Sequence, residues 1–588
     1  MNGMRNLDRK RNVNYAILPW IFQVSGNSKI YIGLLLLVQT LLGISSVGYA
    51  VVFRGLVDEA VAKNRQGFVV WTVSLAVLVL FQVALSAVNR FLQEYSRSSV
   101  ENCFKERLLS CLLDRDYGQV MRIHSGEWMN RLTSDTVVVA DGLTQILPGA
   151  GGMLVRMAGA VGTLIYLYPA FGYILIPGGL VLIVTSYAFR RVLKGLHKKV
   201  QEADGDLRVF LQESLSGMLV VRAFVREDAV LASAEEGMKK HRAMRMRKNH
   251  FSNLCNIGFG LIMNGAYVVG GAVGGYGILT GTMSYGTLMA IVQLIGQIQS
   301  PFANITGYLP KYYAMLASAE RLREVEAFER EESEALPLPE VQRFYREEFS
   351  SICLKDAGFT YQPLDGEDLD MPVVLEHLDL EIPRGSYVAF AGPSGCGKST
   401  VLKLLMCLYQ LDDGERLLET VSGEKMPLNG SWRRLFAYVP QGNQLMSGTI
   451  RQIIAFGSEQ GQEAEKRMWK ALEIAGAQEF VRELPQRLDT FLGEKGTGLS
   501  EGQMQRIAIA RAVFSGNPVL ILDESTSALD EVTEKVVLGN LRAMTDRTVL
   551  IVTHRRAVLD ICDMEIRFGA GGVTVQKLAH GDRGEMNE

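Results

Sequence analysis

Net charge is nearly absent from this chain: 61 Lys and Arg stand against 63 Asp and Glu, leaving -2 with a pI near 6.5. Such a balanced surface carries no basic footprint, so no nucleic-acid partner is expected. Cysteine is scarce as well. Its seven residues are odd in number, contain no CxxC pair and fall in segments that read as cytoplasmic or intramembrane, which argues against a disulfide framework or a zinc site. No cleavable signal peptide is expected either. The start MNGMRNLDRKRN is basic, but the following YAILPWIFQV is a broken run, closer to an interfacial helix than to the apolar core of a leader.

What the chain does have is length and long apolar runs. At 588 residues it exceeds what one core can hold. The first half contains runs such as IYIGLLLLVQTLLGISSVGYAVVF from Ile30, long enough to cross a hydrocarbon layer of about 30 Å at roughly 1.5 Å per residue. Apolar windows predict six membrane helices, at 30–53, 68–92, 143–168, 171–193, 251–278 and 285–315. Short connections alternate with two long ones, 93–142 and 194–250, and the second is rich in Lys and Arg. With the basic N-terminus, that bias assigns the long loops, both termini and the second half to the cytoplasm of a multi-pass cell-membrane protein. The stretch 208–228 has helical apolar spacing with charges between, so the long loops read as helices continuing out of the lipid, either as scaffold or as transmission elements.

Polar residues inside spans are costly in lipid and face protein or water. Gln293, Gln297, Ser300, Asn304 and Lys311 recur at spacings of four, three, four and seven, one face of the sixth helix. That stripe reads either as a water-accessible pathway or as hydrogen-bonding glue between helices. Arg156, near the middle of the third span, either lines a cavity or pairs with a buried acid.

The segment EAFEREESEALPLPE, 326–340, reads as an exposed connector to a soluble α/β half. There YVAFAGPSGCGKSTVLKLLM has a strand, a glycine-rich loop and a helix in succession, and Gly392 to Ser399 fits GxxxxGKS. Glycines let backbone N–H groups wrap phosphates, Lys398 neutralises the β and γ phosphates, and Ser399 offers a hydroxyl to Mg²⁺. Cys396 within the loop reads as a tolerated small residue. Downstream, PVLILDES is a buried strand ending in Asp523, a candidate Mg²⁺ ligand, and Glu524, a candidate base for the attacking water. IVTHR places His554 at another strand end, within reach of a γ-phosphate.

Taken together, this set resembles the ATP-binding cassette family, and with the six spans it looks like an exporter-type half-transporter. The resemblance implies a membrane all-α domain of six helices plus an α/β P-loop ATPase domain. It divides the chain into a cytoplasmic N-terminus with an interfacial helix (1–29), a transmembrane domain (30–320), a linker (321–345) and a nucleotide-binding domain (346–588). ATP and Mg²⁺ are the implied cofactors. By this resemblance Gly392, Ser394, Gly395, Cys396, Gly397, Lys398, Ser399 and Thr400 bind nucleotide, Tyr361 in FTYQ stacks on adenine, and Gln441 in VPQGN joins the Mg²⁺ site to the membrane loops. LSEGQ is similar to the family signature, with Ser500, Gly502 and Gln503 at a nucleotide, and SALD, ending in Asp530, resembles the loop between two sites. GEKG around Glu494 resembles an exporter segment that touches a partner's loops, and HSGEWMNRLTSD from His124 the first coupling helix.

Since the signature of one cassette completes the site of another, the resemblance implies a second half-transporter as partner, in a homodimer or a heterodimer. The implied cargo is an amphipathic small molecule, lipid or peptide, and the bilayer is the surrounding medium. An ATP-gated channel or membrane sensor is the alternative reading. Glu501 stands where most family members have Gly; it either points away from the phosphate or restrains the site.

Overall fold

The computed structural model describes residues 17–169, 172–331, 334–363, 371–442, 445–457, 461–493, 498–553, 555–569 and 572–578. For parts of the helices near 174–188 and 300–307 the description is confined to the backbone. The chain divides into two compact units, 1–108 with 130–322 and 109–129 with 323–588.

Six long helices dominate the first unit: α1 Lys29–Val61, α2 Arg65–Asp114, α3 Leu147–Leu167, α4 Gly172–Ser216, α5 Glu227–Leu279 and α6 Tyr285–Glu324. Among the described residues four stretches, Gly26–Val61, Arg65–Asp114, Ser125–Leu167 and Glu227–Leu279, are long and apolar enough to cross a membrane. Helix α4 covers the fourth expected segment and α6 the sixth. The helices outrun the apolar windows because a window marks only the part lipid would cover. Beyond it the backbone stays helical over charged residues paired at i,i+4, such as Glu235 with Lys239 at 2.8 Å and Lys198 with Glu202 at 3.5 Å.

Small residues let these helices approach. A Cβ on Gly43 of α1 would lie 2.9 Å from the Gly152 carbonyl of α3, and one on Gly159 would lie 3.1 Å from Val47. Beyond that crossing, toward the end of α3, Val47 and Ala50 of α1, Ala160 and Leu164 of α3, and Ile291, Leu294, Ile295 and Ile298 of α6 form one buried core. Glycine at a crossing is how lipid-embedded helices gain dispersion contact where hydrophobic driving force is weak. Near the end of α6, Asp135 is buried and accepts from Arg321 Nε at 2.8 Å, Arg321 Nη2 at 2.6 Å and Ser318 Oγ at 2.8 Å. Between α4 and α5 the short helix Met218–Ala223 forms a tip with Leu219, Phe224 and Val225 exposed to 83%, 74% and 80%.

The second unit opens with α7 Leu338–Glu347, the continuation of the segment read as an exposed connector. Its Val341, Phe344 and Tyr345 are buried, because spacings of three and one put all three on one stripe of a short amphipathic helix. Strands β1 Phe349–Thr360, β2 Val373–Pro383, β4 Asp413–Thr420 and β5 Lys425–Pro427 make an antiparallel sheet in the order β2-β1-β4-β5. A second sheet has the order β12-β11-β3-β10-β9-β6, built from β3 Tyr387–Ala391, β6 Phe436–Val439, β9 Val519–Asp523, β10 Thr548–Val552, β11 Met564–Gly569 and β12 Gly572–Lys577. A small pair, β7 Gly448–Thr449 with β8 Phe491–Leu492, completes the strands described.

Alternation along the larger sheet feeds two cores. Tyr387, Ala389, Leu520, Leu522, Val549 and Ile551 face the helical side with 464–514, while Val388, Phe390, Val519, Ile521, Leu550 and Val552 face the antiparallel sheet. A strand covered on both faces must be apolar at every position, which is why the motif strands read as continuous apolar runs.

The Asp135 pair generates a prediction. In Asp135→Ala, Arg321 and Ser318 lose their shared acceptor, and about 2 kcal/mol of stability goes with it. Thermal unfolding of the detergent-purified protein checks this through a lowered Tm, and an unchanged Tm would exclude it.

Candidate nucleotide site

Register brings the site together. Val552 of β10 pairs with Phe390 of β3 on one side and with Asp523 of β9 on the other, while Leu522 pairs with Val439 of β6. Four parallel strands therefore end at one edge, and the loops after them carry the motif residues. Ligands in open parallel sheets bind outside such carboxyl ends.

The loop after β3 needs its glycines. Gly392 has φ +143°, and a Cβ there would lie 2.5 Å from the Phe568 carbonyl. Gly397, at φ +95°, caps α8 Lys398–Leu405 in the left-handed region that favours glycine. A loop of this form, closed by a helix start, turns backbone N–H groups toward an anion. Lys398 is 5% exposed, and its Nζ donates to the carbonyls of Gly392 at 2.9 Å and Pro393 at 2.7 Å, with Cys396 Sγ at 3.7 Å. One ammonium is thus held over the loop. No described hydrogen bond involves the side chain of Ser394.

Ser399 Oγ donates to Asp523 Oδ1 at 2.9 Å, and Tyr438 OH donates to Asp523 Oδ2 at 3.1 Å. Burial pushes the Asp523 carboxyl above the usual carboxylate range, although both hydroxyls pull it back. Gln441 Nε2 donates to Glu524 Oε2 at 2.7 Å. Glu524 itself sits at φ +48°, a strained position for a non-glycine residue, and its N–H is held by the Val552 carbonyl at 3.2 Å. The Ser399 hydroxyl, Asp523 carboxylate and Gln441 amide oxygen are hard oxygen donors of the kind Mg²⁺ takes, so this donor set fits that ion. His554 and Glu494 lie outside the described residues.

Tyr361 shares a hydrogen bond with Thr400 Oγ1 at 3.1 Å and lies edge-on to Phe359 and Tyr409 at 4.9 and 5.4 Å. Tyr409 in turn meets Tyr117 at 5.6 Å, edge to face. Burial raises the phenol of Tyr409 to about 12 and also pushes that of Tyr117 upward. Tyr117 begins a short helix, Tyr117–Val120, upstream of the His124 stretch likened to a coupling helix, and it belongs to the nucleotide unit. Hydrogen bonds from the Asp116 N–H to the Glu329 carbonyl at 3.0 Å and from the Glu331 N–H to the Asp114 carbonyl at 3.1 Å tie it there.

The signature turn stands apart. Ser500 caps α9 Glu501–Phe514 in a reciprocal box: its Oγ accepts from the Gln503 N–H at 3.3 Å, and Gln503 Oε1 accepts from the Ser500 N–H at 2.9 Å. Glu501 is exposed in the first turn of α9, where the positive end of a helix dipole favours an acid. A Cβ on Gly502 would lie 2.9 Å from the Ala528 carbonyl, so glycine here serves close packing. Among the described residues no hydrogen bond links Ser500, Gly502 or Gln503 to 392–400. Asp530 caps α10 Glu531–Arg542 by accepting from the Thr533 N–H at 3.0 Å, and that bond pulls its carboxyl below the usual range.

Three supporting residues escaped the sequence reading. Tyr438 braces Asp523, and its only sequence signal is its place on the strand before Gln441. Gln505, 2% exposed, donates to Ser527 Oγ at 3.3 Å and accepts from the Ala528 N–H at 3.1 Å, linking α9 to the SALD loop. Arg555 donates to the Ser527 and Leu529 carbonyls at 2.6 and 3.0 Å and pairs with buried Glu534 at 3.0 Å.

A phosphate loop, an acidic strand end and a helical signature on one domain, joined to long apolar helices, define a membrane ATPase. Two family profiles match: "ABC transporter transmembrane region" over residues 32–302 and "ABC transporter" over 375–527. The chain belongs to the ABC transporter family, in the exporter arrangement with both domains fused, and is an ATPase coupled to transmembrane transport. It is 28% identical over 520 residues to the leukotoxin translocation ATP-binding protein LktB of Mannheimia glucosida, covering 87% of this chain and 70% of that one. It is also 28% identical to the ABC transporter ATP-binding protein YfiC of Bacillus subtilis over 559 residues, 93% of this chain and 89% of the other. A bacterial Atm1-family ABC exporter with ATP bound shares the fold at TM-score 0.71, with 22% identity and coverage of 93% and 94%.

Replacing Glu524 by Gln keeps the Gln441 contact in shape but removes a carboxylate that can take a proton from water. We expect ATP binding near that of the parent and turnover lower by about 100-fold or more, read by nucleotide binding beside phosphate release. Near-normal release would remove Glu524 as the base.

Proposed function

We propose that the protein is a dimeric exporter that uses ATP to move an amphipathic compound, a drug, lipid or peptide, outward across the cell membrane. One observation carries the dimer: among the described residues no hydrogen bond links Ser500, Gly502 or Gln503 to the phosphate loop of the same chain, although each motif is locally complete. Two copies facing each other pair each loop with the other's Ser500 and Gly502, and two sites result. The exposed apolar tip at Leu219, Phe224 and Val225 supports the same reading, since a second cassette would cover it. A complete residue set permits two active sites in a homodimer, and a heterodimer uses the same geometry.

In this mechanism the loop N–H groups and Lys398 hold the phosphates of ATP, and Tyr361 packs against adenine. Ser399, Asp523 and Gln441 would hold Mg²⁺, which when bound neutralises charge between the β and γ phosphates. Glu524 takes the proton of the attacking water, while Gln441 fixes its carboxylate in direction. His554 and the partner's Ser500 hydroxyl donate to the γ-phosphate as charge grows there. Closure of two cassettes on ATP then favours an outward-open membrane half, and hydrolysis with phosphate release restores the inward one. Both termini and the nucleotide domain are assigned to the cytoplasm, where ATP is. The LktB relative is named for the translocation of a leukotoxin, which keeps a toxin among the candidate cargoes.

Two experiments test this. In sealed proteoliposomes with the cassettes outside, ATP should drive accumulation of a fluorescent amphipath inside, and a planar bilayer should stay electrically silent; a sustained ion current with ATP bound would instead identify a channel. For the dimer, Lys398→Ala and Ser500→Arg are each expected to be inactive. Coexpressed, they form mixed dimers with one site doubly broken and the other intact, so ATPase activity returns; continued silence in isolated mixed dimers would rule out shared sites.

A further inference from the structure

Arg156 lies nine residues after the start of α3 and eleven before its end, roughly 14 Å and 17 Å at 1.5 Å per residue. It precedes Ala160 by one turn and Leu164 by two, and both of these are fully buried against α1 and α6. The side chain therefore leaves α3 on the bundle face, where its Cβ would lie 3.6 Å from a Cβ added to Gly43. Arg156 Nε is buried without a hydrogen bond, and among the described residues no carboxylate pairs with its guanidinium. Gln293 Oε1 on α6 is likewise buried and unbonded.

Three acids of the membrane unit have other partners. Asp58 accepts from Ser284 Oγ at 3.0 Å and the Gly286 N–H at 2.9 Å, Asp135 holds Arg321, and Asp141 faces Arg97 at 2.8 Å and Gln145 at 3.1 Å. Lys311, exposed on α6, meets the neutral Gln145 Oε1 at 3.4 Å. Gln145, in the turn before α3, and Gly149, Gly152 and Arg156 on α3 recur at spacings of four, three and four, one continuous helical face. Lys311 lies at Gln145, and the Tyr308 hydroxyl would lie 2.8 Å from a Cβ on Gly149, so α6 runs beside the lower part of this face. Lys311 thus stands about 17 Å nearer the cytoplasmic end than Arg156.

An unpaired guanidinium at this depth is expensive, and a guanidinium fork is the side chain best shaped to take a carboxylate or phosphate on two donors. We propose that the transported compound is an amphipath with an anionic head group, which Arg156 binds within the membrane and which Lys311 draws in from the cytoplasmic side. This assignment rests on the exporter reading and narrows its substrate class.

The test uses the full-length dimer in nanodiscs of neutral phosphatidylcholine, without nucleotide, and equilibrium binding of two probes with the same tail, dodecyl phosphate and dodecyltrimethylammonium. The phosphate is expected to bind about tenfold or more tightly. Arg156→Gln should abolish that preference, Arg156→Lys should keep part of it, and Lys311→Gln should slow phosphate association more than dissociation. Equal affinity of the two probes for the parent protein overturns the proposal, as does an undiminished preference in well-folded Arg156→Gln. Equal affinity is also what a carboxylate from the second copy, already paired with Arg156, would produce. Because binding is read without turnover, a failure here is distinct from a failure of ATP-driven accumulation in proteoliposomes.

Discussion

The hydrogen bond from Ser399 to Asp523 joins the first turn of one helix to the end of a strand two places away in the sheet. It can form because β3 and β9 both pair with β10 in a register that ends them level. Asp523 is costly where it stands: it is buried, next to Glu524, and its carboxyl is pushed upward. Two hydroxyls, from Ser399 and Tyr438, offset part of that cost, and the ion expected there would offset more. The strain at Glu524 has the same origin, since a chain leaving β9 at this edge must turn at once. The sheet beneath supplies the rigidity that lets such a group persist, with apolar cores on both faces.

Much of this was legible in the sequence because the decisive residues are neighbours in the chain. Gly392 to Thr400 carry a loop and a helix start, and Asp523 with Glu524 close an apolar strand, so spacing alone indicated where they stand. Residues that act across the fold left no such trace. Tyr438, Gln505 and Arg555 acquire their roles only when β6 lies beside β9 and α9 lies beside the SALD loop. Gly502 shows the opposite error of emphasis: read as a phosphate contact, it also answers to the Ala528 carbonyl, a constraint no local pattern reveals. Glu501, read as an oddity beside a phosphate, stands in the first turn of α9, where the helix dipole favours an acid.

The membrane unit was less legible for a physical reason. Apolar windows locate lipid-facing segments, but lipid gives helices little reason to associate, so packing is decided by small residues that hydropathy scores hardly notice. Gly43, Gly152 and Gly159 set the approach of α1 to α3. The polar stripe on α6 separates into different uses: Gln297 donates to the Ser46 carbonyl at 2.6 Å, as interhelical glue does, whereas Lys311 faces a neutral amide. The side chains of Ser300 and Asn304 lie outside the described ones.

Tyr117 and Tyr409 place the seam of this molecule in an unexpected position. The tip of the first loop, 109–129, is covalently part of the membrane helices yet mechanically part of the ATPase, gripped by backbone hydrogen bonds to 329–331 and by an aromatic chain ending at Tyr361. The loop is therefore not a lever resting on the engine; it is a bolt cast into the engine block. The chain passes between the two units near 108, 130 and 322, so two of its three covalent crossings flank this tip and the third falls at the end of α6.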